Sequence, residues 1–177
     1  MYKLAKLLFD SDALIKVTKA GFLEHVTTTF NVYITDDVYN EVVEEGKKRL
    51  YYDAEKIKNI IDNKKIYLIK NYSHIKRTEP KQSFGRGEIS VFQAYNKDYV
   101  IVSDDLSFVL YLNKESIKNI SSAHLLIALV KKGNITKEKA YYHLEKLKPL
   151  IRKEIFELVK NDIEGEQNES STTIKNR

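Results

Sequence analysis

The chain has 177 residues, enough for one domain with a substantial core. It has no cysteine, which excludes disulfides, thiolate nucleophiles and zinc–thiolate centres and fits a cytoplasmic protein; no apolar run is long enough to span a bilayer or to form the core of a signal peptide. The formal net charge is +5, and because segment 161–177 holds four acids and two bases the remainder carries +7, an excess that suits an anionic partner, nucleic acid first.

Leu4–Phe9 reads as a buried strand: its apolar residues (Leu4, Leu7, Leu8, Phe9) run straight into two acids. Asp12, just ahead of Ala13-Leu14-Ile15, reads as the N-cap of a helix over Asp12–Ala20. Further strands are expected at Asn31–Ile34, Ile66–Ile69 and Tyr99–Val102, with a fifth within Ser116–Ile120. Helical periodicity covers Asp36–Glu45, Tyr52–Asn63, Gly87–Asn96, Leu106–Leu112 and Ser121–Lys131. A last pair, Thr136–Leu147 and Leu150–Val159, is separated at Pro149. Asp36, Ser121 and Thr136 are the expected helix caps. This alternation predicts an α/β domain with a mostly parallel central sheet. The domain is expected over residues 1–160, followed by a polar, disordered tail over 161–177. The loop from Asn71 to Gly87 is long and basic.

An acid at the carboxyl end of a buried strand stands where open α/β sheets bind their ligands, and burying it is costly unless a cation compensates it. Asp10 is placed in this way. Glu41 lies one turn into the helix that follows Asn31–Ile34, Glu88 opens the helix after Gly85-Arg86-Gly87, and Asp104 and Asp105 end the strand at Tyr99–Val102. Adjacent strand ends converge in a parallel sheet, so these acids are expected to meet in one pocket. Carboxylates gathered there repel one another unless a divalent cation holds them. Oxygen-only donors favour Mg²⁺ or Mn²⁺ over zinc, and such a centre suits phosphodiester hydrolysis. Each acid also has a plainer reading. Asp12 and Asp104-Asp105 can cap helices, Glu41 with Glu44 and Glu45 can form a solvated face, and Glu88 can complement a helix macrodipole. Lys47, Lys48 and Arg49 at the end of the Glu41 helix, Lys76 and Arg77 near Tyr72, and Arg86 are candidate phosphate contacts. The histidines (His25, His74, His124, His143) have no ligand spacing, and the pairs Tyr51-Tyr52 and Tyr141-Tyr142 read as packing residues.

From about Lys3 to Lys148 the chain resembles the PIN-domain nucleases, which include VapC-type toxins and archaeal ribonucleases. The segments that carry the resemblance are Phe9-Asp10-Ser11-Asp12-Ala13-Leu14-Ile15, Tyr33 to Val42 around Glu41, Gly85-Arg86-Gly87-Glu88-Ile89, Val100 to Asp105, and Ala123 to Gly133. The resemblance implies a three-layer α/β/α sandwich and endonucleolytic cleavage of RNA by a metal-activated water. Carried over, Asp10, Glu41, Glu88 and Asp104 are the catalytic, metal-binding acids and Asp105 an auxiliary ligand. Ser11, Asp12 and Ser103 stand behind them. A homodimer, and in a toxin a partner antitoxin, are also implied. Two positions depart from the family pattern. Asp12 replaces the more usual Ser, Thr or Asn, and Phe108-Val109-Leu110 lacks the Arg that relatives often carry in the turn after the last acids. Two other readings compete. Asp10-Ser11-Asp12 also resembles the start of a haloacid-dehalogenase-type phosphatase, with Asp10 as nucleophile, but Ile66–Ile69 ends in Lys70 rather than Ser or Thr and Glu41 and Glu88 are left without a role. The other is a PIN-fold module that binds RNA without cutting it.

Overall fold

The computed structural model describes residues 5–70 and 83–171, with side chains described as far as residue 165. Five strands, β1 (Lys6–Phe9), β2 (Asn31–Thr35), β3 (Ile66–Ile69), β4 (Tyr99–Val102) and β5 (Asn119–Ile120), form one sheet in the order β3-β2-β1-β4-β5. Every pairing is parallel, with Leu8 opposite both Tyr33 and Ile101 and Phe9 opposite Val102. Helices cover both faces, giving an α/β/α sandwich. The inner strands are therefore continuous apolar runs and not alternating ones: Leu7, Leu8 and Phe9, and Ile101 and Val102, are buried.

The chain builds outward from β1 through β2 to β3, then returns to place β4 and β5 on the other side. Strand order thus reverses between β1 and β4, the position where open parallel sheets form a ligand crevice beyond their carboxyl ends. Asp10 and Asp104 follow the two strands that flank this point. The Asp10 amide continues the ladder, donating to the Val102 carbonyl at 3.1 Å.

Helix α1 (Ser11–Lys19) buries Ala13, Leu14 and Val17 and packs against α2 (Leu23–Thr29), α5 (Tyr52–Asp62) and α9 (Lys137–Leu147). Its N-cap is Asp10, where the sequence pointed to Asp12; Oδ1 of Asp10 accepts the Ala13 amide at 2.8 Å, the cap-to-N3 geometry that Asp12 stands too late to make. Thr35, one residue before Asp36, caps α3 (Asp36–Tyr39). The helix then widens into a π-helical segment, Asn40–Glu45, before closing as α4 (Gly46–Lys48). Such single-turn widenings recur at functional sites, and this one carries Glu41. Helix α6 (Arg86–Ala94) packs on α3 and β2, tied there by a 2.6 Å hydrogen bond between the Thr35 and Ser90 hydroxyls. Asp105 caps α7 (Leu106–Lys114) and Thr136 caps α9.

Helices α8 (His124–Lys131), α9 and α10 (Lys153–Ser171) pack on one another. Phe156, Val159 and Ile163 of α10 are buried at helical spacing, so packing continues past the expected boundary at residue 160 and the helix runs into the segment expected to be a tail. Tyr51 and Tyr52, expected to pack, are 54% and 81% exposed on the turn that leads into α5. No described helix is long and apolar enough to cross a membrane.

Candidate functional site

The acids singled out in the sequence gather beyond the carboxyl ends of β1, β2 and β4, and each is held differently. Asp10 is 2% exposed. Its Oδ1 caps α1, while its Oδ2 is buried near the Ser103 hydroxyl with no hydrogen bond of good geometry among the described residues. Burial pushes the Asp10 carboxyl up to about 8; the Ser103 hydroxyl and the Ala13 amide oppose this, and the charges of Asp104 and Asp12 add to it.

Asp104 is fixed from across the crevice. Its Oδ1 accepts the Ser122 amide at 2.9 Å and its Oδ2 the Ser122 hydroxyl at 2.5 Å. Neither Ser122 nor its role was visible in the sequence, because the contact joins the ends of β4 and β5. Asp105 spends Oδ1 on the Phe108 amide, and its own amide donates to the buried Ser103 hydroxyl.

On the other side of the crevice, Glu41 is exposed, but its Oε2 accepts a 2.6 Å hydrogen bond from Ser11. Gly87 closes over this pair. A Cβ there would lie 2.8 Å from both Glu41 Oε2 and Ser11 Oγ, so the second glycine of Gly85-Arg86-Gly87 is required for close approach. Glu88 reaches back to the Gly85 amide at 2.6 Å. Partial burial raises its pKa, the Gly85 hydrogen bond opposes the rise, and Asp105, Glu41 and Asp12 push it further up.

The electrostatics thus divide the acids into two groups, Asp10 with Asp104 and Glu88 with Asp105 and Glu41, and Asp12 acts on both. Asp12 is ion-paired at 2.5 Å with Lys16, one turn along α1, and the same ammonium lies 3.8 Å from Asp104. Lys16 went unread in the sequence, although its i,i+4 spacing from Asp12 was the available signal.

Among the described residues no group of three His, Asp or Glu side chains is arranged to hold a metal ion as it stands. The donor chemistry nevertheless fits a hard divalent cation, because the donors are all carboxylate oxygens and one of them, Asp10 Oδ2, is buried and orphaned at the centre. An extra positive charge there would offset the burial, and the lesser mutual repulsion, that raise Asp10 and Glu88.

Of the candidate phosphate contacts, Arg86 is exposed on the first turn of α6, two residues from Glu88. Lys47, which pairs with Glu55 at 3.4 Å, Lys48 and Arg49 follow the π-helical segment. Lys76 and Arg77, with His74, lie outside the described residues.

A family model for the PIN domain matches residues 6–156. No curated protein matches the chain. The family matched is not that of the haloacid-dehalogenase-type phosphatases, whose start Asp10-Ser11-Asp12 also resembles.

Proposed function

Because this chain belongs to the PIN-domain family, a family of nucleases, we propose that it is a divalent-metal-dependent endoribonuclease whose centre is the crevice between β1 and β4. The observation that carries the reading is Asp10: a buried carboxyl with one orphaned oxygen, surrounded by further acids, at the switch point of a parallel sheet. Asp10, Glu41, Glu88 and Asp104 would hold Mg²⁺ or Mn²⁺, with Asp105 as an additional ligand. Bound there, such an ion supplies an activated water and neutralises charge developing on the phosphate.

The chain's own residues prepare that chemistry. Asp10 offers Oδ2 while the cap bond to Oδ1 fixes the orientation of the carboxyl group. Ser11 orients Glu41, the Gly85 amide orients Glu88 and Ser122 orients Asp104. Ser103 sits beneath Asp10 and Asp105, and Lys16 balances Asp12 and Asp104. Preset side chains of this kind need little rearrangement when the RNA phosphate arrives. The positive charge outside the crevice suits the RNA backbone.

The reading extends to a homodimer and, in the toxin form, to an antitoxin partner, both acting in the cytoplasm. Sedimentation and co-purification test these points. The central test is cleavage of single-stranded RNA in Mn²⁺. The wild type cleaves and Asp10→Asn does not while keeping its fold; equal cleavage by the two sinks the assignment.

A further inference from the structure

A cavity of about 740 Å³ opens directly from the acid crevice on its β5 side, sharing Lys16, Ser103 and Asp104 with it. The family's acids do not account for it. Part of its wall is aliphatic, with Val109 of α7, Ile120 of β5, Ile127 of α8 and Ile155 of α10 among its lining. Polar side chains, Asn119, Ser121, Lys131 and Asp162 among them, line the rest. His124 anchors its Nδ1 on the Ser121 hydroxyl at 2.7 Å, which leaves Nε2 without a protein partner among the described residues. Arg152, just ahead of α10, also lines it and is exposed, with no ion-pair partner among the described residues.

We propose that this cavity is a subsite for one unstacked nucleotide of a single-stranded RNA, the one adjoining the phosphate that is cut. The inference rests on the nuclease reading and deepens it. The volume lies within the range of small-molecule sites, roughly 300–1,000 Å³, and the aliphatic part of the wall suits the face of a base. Lys16, 3.8 Å from Asp104, would meet the phosphate on the acid side, and Arg152 the next one. A ring flanked by two anions is the chemistry of a nucleotide within a strand, whereas an apolar peptide side chain leaves Arg152 and the polar part of the lining unmatched. A base can enter only if unstacked, so duplex RNA is a poor substrate.

The test scans a short single-stranded RNA, replacing the bases next to its cleaved bond one at a time by abasic residues. With the wild-type protein one position is expected to raise KM about tenfold, the scale of a lost base contact, with kcat little changed. Ala128→Phe, which puts a ring into the cavity from α8, is expected to raise KM on intact RNA by a similar factor and to erase the penalty of the abasic residue. A scan in which no position matters overturns the subsite, as does a folded Ala128→Phe protein with wild-type KM; either outcome leaves the cavity to another occupant, such as a partner's peptide. If the wild type cuts no RNA, fluorescence anisotropy of the same labelled strands in Ca²⁺ separates the two ideas. Affinity lost at one abasic position keeps the subsite and removes the nuclease, and affinity uniform across the scan removes the subsite.

Discussion

Asp10 and Glu41 carry the same charged group to the same crevice, and the fold treats them in opposite ways. Asp10 is sealed beneath α1 with one oxygen unpartnered, and burial drives its pKa to about 8. Glu41 stands in solvent on a π-helical segment and is steadied by the Ser11 hydroxyl. The buried acid is a store of unfavourable electrostatic energy that a cation can release. The exposed one costs little to keep and can reorient. A centre built this way has a fixed wall, formed by Asp10 and Asp104 against the sheet, and an adjustable wall, formed by Glu41 on the π-helical segment and Glu88 on α6.

The largest expected effect breaks the fixed wall. Asp10→Asn should lower Mn²⁺-dependent RNA cleavage by at least about 10²-fold, the scale of losing one preorganised catalytic group. It should leave thermal stability equal or higher at pH 8, because Asn keeps a cap oxygen for Ala13 and cannot ionise. Glu41→Gln should also impair cleavage but, at an exposed position, change stability far less than Asp10→Asn does at pH 8, so melting curves of the two variants read the contrast directly. Gly87→Ala attacks the adjustable wall from outside. Its methyl must displace the Glu41 carboxylate from Ser11, so cleavage should fall about tenfold or more while stability changes little, because the exposed Glu41 side chain can swing away; wild-type cleavage by this variant would show that the Glu41 position is not needed.

The pH dependence follows from the sign of the Asp10 shift. Its folded pKa, about 8, lies above the ordinary 3.8, so between these values the native state holds a proton that the unfolded chain has lost. The stability this contributes is complete below about pH 4 and is lost as pH rises toward 8. Glu88, also raised, acts in the same direction. Metal-free protein should therefore melt at a lower temperature at pH 8 than at pH 5, and saturating Mn²⁺ should reduce that difference. The smallest effect concerns Lys16. Lys16→Met removes the ammonium from Asp12 and Asp104 and should cost about 1 kcal/mol without metal, since Asp12 is 55% exposed and its pair is screened, with a larger melting-temperature gain on adding Mn²⁺ than the wild type shows.

Much of the fold was legible because a parallel sheet buried on both faces writes itself as short apolar runs, as Leu7-Leu8-Phe9 and Tyr99 to Val102 show. Helix α2 escaped, although Phe22, Leu23, Val26 and Phe30 repeat at helical spacing, because the β-branched run Thr27-Thr28-Thr29 at its end weakens the helical signal. Cap placement slipped by a residue or two where two acids compete, as at Asp10 and Asp12; the winner is decided by where the strand ends, which only the ladder to Val102 fixes. The acids of the candidate site were visible individually, Asp10 and Asp104-Asp105 at strand ends and Glu41 and Glu88 early in helices. Their supports were not: Ser122 reaches Asp104 across 18 residues, Ser11 reaches Glu41 across 30, and the need for Gly87 appears only when a side chain from another helix lies against it.

The account's central claim is that a divalent cation enters the acid cluster through Asp10. Calorimetric titration of metal-free protein with Mn²⁺ near pH 7, repeated in buffers of different ionisation enthalpy, measures both the binding and the proton released. The wild type should bind Mn²⁺ and release a proton, as the buried Asp10 carboxyl ionises to become a ligand, and Asp10→Asn should bind far more weakly with no such release. Equal affinity and equal proton release in the two proteins would contradict the claim.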